Sequence, residues 1–312
     1  MEYILGVDGG GTKTTVQIAR ISGEKVAQAV SGASSCKSVG VDKAIENLNA
    51  GVFGAIKNLE ESLEDIYFVS SCFGFAGNII EEDSKIYREI VFNKKLKNYL
   101  NPEKSLIFND TRIGLEAGSD SKNKIILIAG TGSNCFGINE KGKQARATSW
   151  DYILADEGSG YEVGLKALRA VMRDYDGRGK KTLLSKIILE ELNLKDILSL
   201  IKWVYGRPFS KDRIGSLAKT VCMTAEMGDK KSIDILTEEV EEAVISVVTV
   251  AHKLGFEDRD FDLVFVGGLF KCKKYFKDIL ISRLRENFPG INFKPLVANP
   301  AEGAIKLAIE NL

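Results

Sequence analysis

Apolar and polar positions along the chain alternate between a period of two and a period near 3.6. The first twenty residues contain two apolar strands separated by Gly9-Gly10-Gly11, and a third strand is expected over residues 25–31. From 41 to 63 the spacing turns helical, with Ile45, Leu48, Val52, Ile56, Leu59 and Leu63 on one face. An apolar strand over 66–72 then runs into Phe73-Gly74-Phe75-Ala76-Gly77. An amphipathic helix is expected over 84–99, and a strand over 105–108 ends at Asn109-Asp110. The first 110 residues thus read β-β-β-α-β-α-β.

After Asp110 the pattern partly restarts. A strand over 124–129 ends in Gly130-Thr131-Gly132-Ser133, a second covers 134–139, and a third follows the turn at Lys141-Gly142. Helices are expected from about 158 to 254, interrupted at Gly177-Arg178-Gly179, at Tyr205-Gly206-Arg207-Pro208 and at Gly228-Asp229. A strand over 263–266 ends at Gly267-Gly268, and a helix, a short strand over 291–293 and a last helix over 301–312 complete the chain. Strand, glycine turn, strand, strand therefore occurs twice, about 120 residues apart. This predicts a duplicated α/β fold whose two glycine turns face a common cleft. The alternative is two unrelated hairpin turns.

Composition narrows the function classes. A chain of 312 residues suggests two domains, and 44% hydrophobic with 28% charged residues is ordinary for a soluble globular protein. The formal net charge is zero, so nothing argues for nucleic acid or membrane as partner. No basic segment with an apolar core opens the sequence, and a cytoplasmic location is expected. The five cysteines, Cys36, Cys72, Cys135, Cys222 and Cys272, are dispersed without C-x-x-C spacing, so free thiols are expected. The single histidine, His252, reads as a helix-end residue near Gly255, which leaves Asp or Glu as the candidate base. The charge runs at Glu238–Glu242 and Lys271–Lys274 read as solvated helix faces.

The candidate chemistry sits at strand ends. In LGVDGGGTKTT, residues 5–15, glycines bring bare N–H groups to the surface, flanked by Asp8 and the hydroxyls of Thr12 and Thr14. The set suits a phosphate with its Mg²⁺, although neither the P-loop nor the dinucleotide spacing is met. Asp110 follows a strand and can serve as a proton acceptor or cap the next helix. Asp156, in Asp156-Glu157-Gly158-Ser159-Gly160, can bind sugar hydroxyls or cap a helix. Trp150 offers a flat face for a sugar ring, or packs in the core.

In combination and order, Gly6–Thr15, Phe75-Ala76-Gly77, Asn109-Asp110, residues 129–135 (AGTGSNC), 156–161 (DEGSGY), 225–229 (AEMGD), 266–269 (VGGL) and 300–304 (PAEGA) resemble the BadF/BadG/BcrA/BcrD-type ATPases, and within them the N-acetylglucosamine kinases. That family belongs to the actin-like superfamily. The resemblance covers nearly the whole chain. It implies two RNase H-like domains: residues 1–118 with 300–312 returning as a C-terminal helix, and residues 119–299 carrying a helical insertion. It further implies ATP and Mg²⁺, an amino-sugar substrate, and a homodimer. Carried onto this sequence, Gly10, Gly11 and Thr12 resemble the first phosphate loop, and Gly130, Thr131 and Gly132 the second. Gly267 and Gly268 resemble the adenosine turn, with Gly215 lining the same pocket. Asp8 corresponds to the magnesium partner through water, and Asp110 to the catalytic base. Ser35, Ser133, Asn134, Trp150 and Asp156 resemble sugar contacts.

Two departures from the family pattern fall at the sugar end. Ser35 stands where relatives place an Asn, and Ser149-Trp150-Asp151 replaces Gly-Trp-Gly. Asp151 would pair with the ammonium of glucosamine or repel the carboxylate of N-acetylmuramate, and Lys37, if inward, would act in the opposite sense. The leading expectation is an ATP-dependent amino-sugar kinase. The alternatives are an ATPase that activates a radical acyl-CoA dehydratase or reductase, and a non-catalytic sugar or nucleotide sensor. An activator needs a second cysteine near Cys135, which the sequence lacks.

Overall fold

The computed structural model describes residues 2–59, 66–206 and 209–312. It divides into two compact units, residues 1–120 with 296–312 and residues 121–295.

In the first unit, β1 (Glu2–Gly9), β2 (Lys13–Arg20) and β3 (Lys25–Gly32) form an antiparallel meander. A short α1 (Cys36–Val39) and α2 (Val41–Lys57) precede β4 (Tyr67–Phe75). After α3 (Glu81–Val91) come β5 (Ser105–Asn109) and α4 (Asp110–Gly118). The sheet order is β3-β2-β1-β4-β5, with β4 parallel to both β1 and β5. The two-residue period places Tyr3, Leu5 and Val7 in the core under α2 and α3, whereas Ile4 joins Ile113, Ala304 and Ile305 on the opposite face. Burial on both faces explains why β1 reads as an uninterrupted apolar run.

The second unit repeats the plan. Here β6 (Lys124–Ala129), β7 (Ser133–Ile138) and β8 (Gln144–Thr148) form the meander. Helices α5 (Gly160–Tyr175), α6 (Leu184–Glu191), α7 (Ser199–Tyr205), α8 (Lys211–Ser216), α9 (Ala218–Glu226) and α10 (Lys230–Leu254) follow. They lead to β9 (Phe261–Val266), α11 (Asp278–Asn287) and β10 (Ile291–Pro295). The order β10-β9-β6-β7-β8, with β9 parallel to β6 and β10, is the order of the first sheet read backwards. The duplication expected from the sequence is present in the topology. The last helix, α12 (Pro300–Glu310), packs in the first unit on β1 and α4, and its Ala308 carbonyl accepts from Ser70 Oγ at 2.6 Å. Among the described residues no helix is long and apolar enough to cross a membrane.

Several local expectations change. The helix expected over 84–99 stops at Val91, because Asn93 donates to the carbonyl of Ile90 and accepts from the Lys95 amide. Such side-chain bonds to nearby backbone compete with helix continuation. The helix expected to 63 ends at Lys57, and Leu63 lies outside the described residues. The thiols are not all free: Cys222 and Cys272 form a disulfide across 50 residues of sequence, joining α9 to the turn after Gly267-Gly268. Cys36, Cys72 and Cys135 remain as thiols. The run at Glu238–Glu242 is not wholly solvated, because Glu239 is fully buried. His252 lies in the last turn of α10, before Gly255 in the left-handed conformation, with its ring against Phe288.

Candidate active site

Strand register assembles the acidic pair of the first unit. Gly9 pairs with Phe75, and Phe75 pairs with Asn109, so the carboxyl ends of β1, β4 and β5 lie on one edge. Asp8 and Asp110 meet at that edge, as ligand groups commonly do in α/β sheets. Asp8 is half-buried. Desolvation, then the charge of Asp110, pushes its pKa up to about 7 against the opposing pull of Lys13. Asp110 is also raised, by desolvation, which its own amide and that of Thr111 partly offset. A carboxyl group shifted this way is a better proton acceptor once ionised.

Asp110 is the first residue of α4, not its cap. The capping oxygen is that of Asn109, which accepts from the Thr111 amide at 3.0 Å. Beside this edge, the Gly10 amide closes the hairpin onto the Lys13 carbonyl at 2.9 Å, leaving Gly11 and Thr12 exposed. Ser35 is buried, and its amide donates to the Gly10 carbonyl at 3.2 Å, so it sits against the first glycine turn. Lys37 pairs its ammonium with Asp83 at 2.8 Å.

The second unit carries the counterpart turn. The Gly130 amide donates to the Gly132 carbonyl at 3.0 Å, and the carbonyls of Gly130 and Thr131 accept from the amides of Gly160 and Tyr161. Helix α5 therefore starts on this turn, and its cap is Ser159, which accepts from the Glu162 amide. Asp156 is again released from capping. Its Oδ1 accepts from the Ser133 amide at 3.1 Å, and its Oδ2 meets the ammonium of Lys211 at 2.5 Å. Gly267 lies against the same turn with φ +132, and a Cβ there would sit 2.2 Å from the Ala129 carbonyl oxygen, which only glycine avoids. A cavity of about 780 Å³ opens beside Thr131, Gly215, Lys219, Gly268 and the Cys222–Cys272 disulfide. Thr131 Oγ1 donates to Asp212 at 2.9 Å.

Asn134 is buried in β7 opposite Thr148. Trp150 is 48% exposed, so it is not a core residue, and the guanidinium of Arg146 lies 5.9 Å from its ring centroid. Thr148, Ser149 and Asp151 have φ of 60°, 67° and 70°. Two of these are the positions where the family pattern has glycine, the residue that adopts positive φ freely. Asp151 holds Lys211 at 2.9 Å.

The structure therefore groups Asp8, Gly10, Gly11, Thr12, Ser35 and Asp110 in the first unit. Gly130–Asn134, Trp150, Asp151, Asp156, Gly215, Gly267 and Gly268 belong to the second. Sequence reasoning missed Lys211, Asp212, Glu239 and the disulfide. The only sequence signal for the first two is Ser210, a helix-capping residue whose Oγ accepts from the Arg213 amide. Among the described residues no group of three or more His, Cys, Asp or Glu could hold a metal ion. Cys135 is fully buried, and burial raises its thiol pKa, which does not suit a cluster ligand shared with a second chain.

Comparison with known proteins gives four findings. Residues 5–308 match the BadF/BadG/BcrA/BcrD ATPase family. The chain is 32% identical over 308 residues to the N-acetylmuramic acid/N-acetylglucosamine kinase of Clostridium acetobutylicum, covering 99% of this chain and 98% of that protein. It is 31% identical to the N-acetyl-D-glucosamine kinase of Dictyostelium discoideum, with the same two coverages. In fold it resembles a Chromobacterium violaceum protein solved as a candidate N-acetylglucosamine kinase, with TM-score 0.76 and 21% identity over 98% of each chain.

Proposed function

Because the chain belongs to the BadF/BadG/BcrA/BcrD ATPase family, we propose that it is an ATP-dependent amino-sugar kinase that phosphorylates the 6-hydroxyl of N-acetylglucosamine or a close derivative. In that reaction the sugar oxygen bonds to the γ-phosphorus, the bond to the β,γ-bridging oxygen breaks, and the hydroxyl proton passes to a base. Asp110 takes that proton. Each unit offers a glycine turn with phosphate donors of its own: Gly11 and Thr12 in the first, Thr131 and Gly132 in the second. The cavity beside Gly215 and Gly268 takes the adenosine. Asp156, Ser133, Asn134 and the face of Trp150 hold the sugar.

The residues present fit a magnesium ion. A half-buried carboxylate raised to about 7 at Asp8, with Asp110 beside it, is a site that a cation relieves, and the absence of a cluster of three or more such ligands among the described residues suits an ion held mainly by phosphate oxygens and water. Bound there, magnesium would neutralise phosphate charge. Asp8 would orient its water shell.

The observation that carries the reading is that neither Asp110 nor Asp156 is the N-cap of the helix that follows it, the caps being Asn109 and Ser159. The test is ADP release with ATP and Mg²⁺ against glucosamine, N-acetylglucosamine, N-acetylmuramate, N-acetylmannosamine and glucose, with Asp110→Asn alongside. Release that depends on one amino sugar and falls by roughly 10²-fold or more in the variant is expected. Release independent of every sugar rejects the proposal.

A further inference from the structure

One cation of the second unit stands where the sequence showed no motif. Lys211, at the start of α8, is held between two carboxylates that differ in kind. The Asp156 side chain is 3% exposed and anchored by the Ser133 amide, whereas that of Asp151 is 67% exposed, on the loop with three positive φ angles. The ammonium is therefore fixed from inside and covered from outside by an exchangeable anion. Burial works against its charge, yet the two carboxylates prevail and raise its pKa, so it is a cation near neutrality. It has three donors, and the two carboxylates use two of them.

A second observation points to a ligand here. Ser133 Oγ is buried, with the residue only 6% exposed, and it has no hydrogen-bond partner among the described residues. It belongs to the residue whose amide binds Asp156, so an unsatisfied hydroxyl lies at the foot of the same network. Buried polar atoms in folded proteins are nearly always paired, so an unpaired one calls for a partner such as a ligand oxygen or water.

We propose that Lys211 is a specificity-determining residue that receives the carboxylate of an acidic amino sugar, one bearing a carboxyalkyl ether as N-acetylmuramate does, with that carboxylate taking the place of Asp151. The inference rests on the amino-sugar kinase reading and deepens it. Exposed ion pairs contribute little, so one carboxylate replaces another at low cost, and the incoming group gains a charge-assisted hydrogen bond in a drier place. A neutral sugar leaves the Lys211–Asp151 pair closed, and Asp156 remains available in both states. Lys211 and Asp151 then set the preference for acidic over neutral sugar in opposite senses.

The competing role for Lys211 is a phosphate contact, since its Nζ lies 3.2 Å from where a Cβ on Gly132 would stand. Steady-state kinetics with N-acetylmuramate and N-acetylglucosamine at saturating Mg-ATP separate the two. In Lys211→Met, kcat/KM for the acidic sugar falls at least about tenfold further than for the neutral one, as expected on losing a hydrogen bond between charged groups. In Asp151→Asn, the ratio of acidic to neutral kcat/KM rises roughly two- to fivefold, the scale of an exposed ion pair. Equal losses on both sugars in Lys211→Met overturn the proposal in favour of a phosphate role. An unchanged ratio in Asp151→Asn, which leaves Lys211 anchored on Asp156, overturns it also. Native turnover of N-acetylglucosamine or glucosamine without N-acetylmuramate rejects this inference alone, whereas turnover of no sugar in the panel rejects the kinase reading beneath it.

Discussion

The backbone N–H of Gly158 donates to Oε2 of Glu239 at 2.6 Å, across 81 residues of chain and out of reach of solvent. This one bond ties the loop of Asp156 to the middle of α10. The other carboxylate oxygen meets Lys166 at 2.7 Å. Burial raises the pKa of Glu239, and the cation and the amide work to keep it ionised. Removing one partner of a buried ion pair leaves the other uncompensated, at about 3–5 kcal/mol. Glu239→Ala is therefore expected to cost about 3 kcal/mol in urea unfolding, and Glu239→Gln, which retains an acceptor for Gly158, roughly half of that.

The Cys222–Cys272 disulfide is checked by counting thiols. Denatured without reductant, the chain should titrate three of its five cysteines, and all five after reduction. For a 50-residue separation the chain-entropy account gives a stabilisation of about 4 kcal/mol. Cys222→Ser and reduction of the native protein should lower the melting temperature by similar amounts. No change on reduction would show that the bond does not form.

Asp229 gives a pH dependence of stability. Burial opposes its ionisation, but bonds from the Leu183 amide, the Ser232 hydroxyl and amide and the Thr182 hydroxyl outweigh it, and its pKa is lowered. Asp83 and Asp174 are shifted the same way. A carboxylate depressed in the folded state adds stability that is present above its unfolded pKa, near 3.9, and is lost as pH falls through the lower folded value. Stability should thus drop below about pH 4, with a shallower drop in Asp229→Asn. At pH 7, Asp229→Ala removes the cap of α10 and should cost about 2 kcal/mol, read by chemical denaturation.

Gly267 and Gly268 are expected to respond differently to alanine. At Gly267 a Cβ meets the Ala129 carbonyl oxygen at 2.2 Å and the Gly130 amide at 2.7 Å, at φ +132. Gly267→Ala must push β9 away from the second glycine turn, and it should lose about 2 kcal/mol and raise KM for ATP. At Gly268 nothing lies within 4 Å of the added methyl, so Gly268→Ala should unfold within about 0.5 kcal/mol of native.

Much of the fold was legible in the sequence because the signals are local. Strand periods, glycine turns and the order β-β-β-α-β-α-β depend on neighbours within a few residues, and both meanders lie where the pattern put them. The helix end at Val91 was missed because Asn93 reads as helix-compatible until its own side chain competes for the backbone.

What the sequence by itself determined is the duplicated plan, with Asp8 and Asp110 at the ends of strands and Asp156 just ahead of a helix. Only the tertiary structure decided what those carboxylates are left to do. Asn109 and Ser159 won the caps, and Glu239 went inside to hold Gly158. Lys211 came from 55 residues away to cover Asp156, and Cys222 found Cys272 across 50. The contacts of Glu239, Lys211 and Cys222 join positions far apart in sequence, fixed by burial and by the need to satisfy a polar group away from water, and neither periodicity nor spacing encodes them.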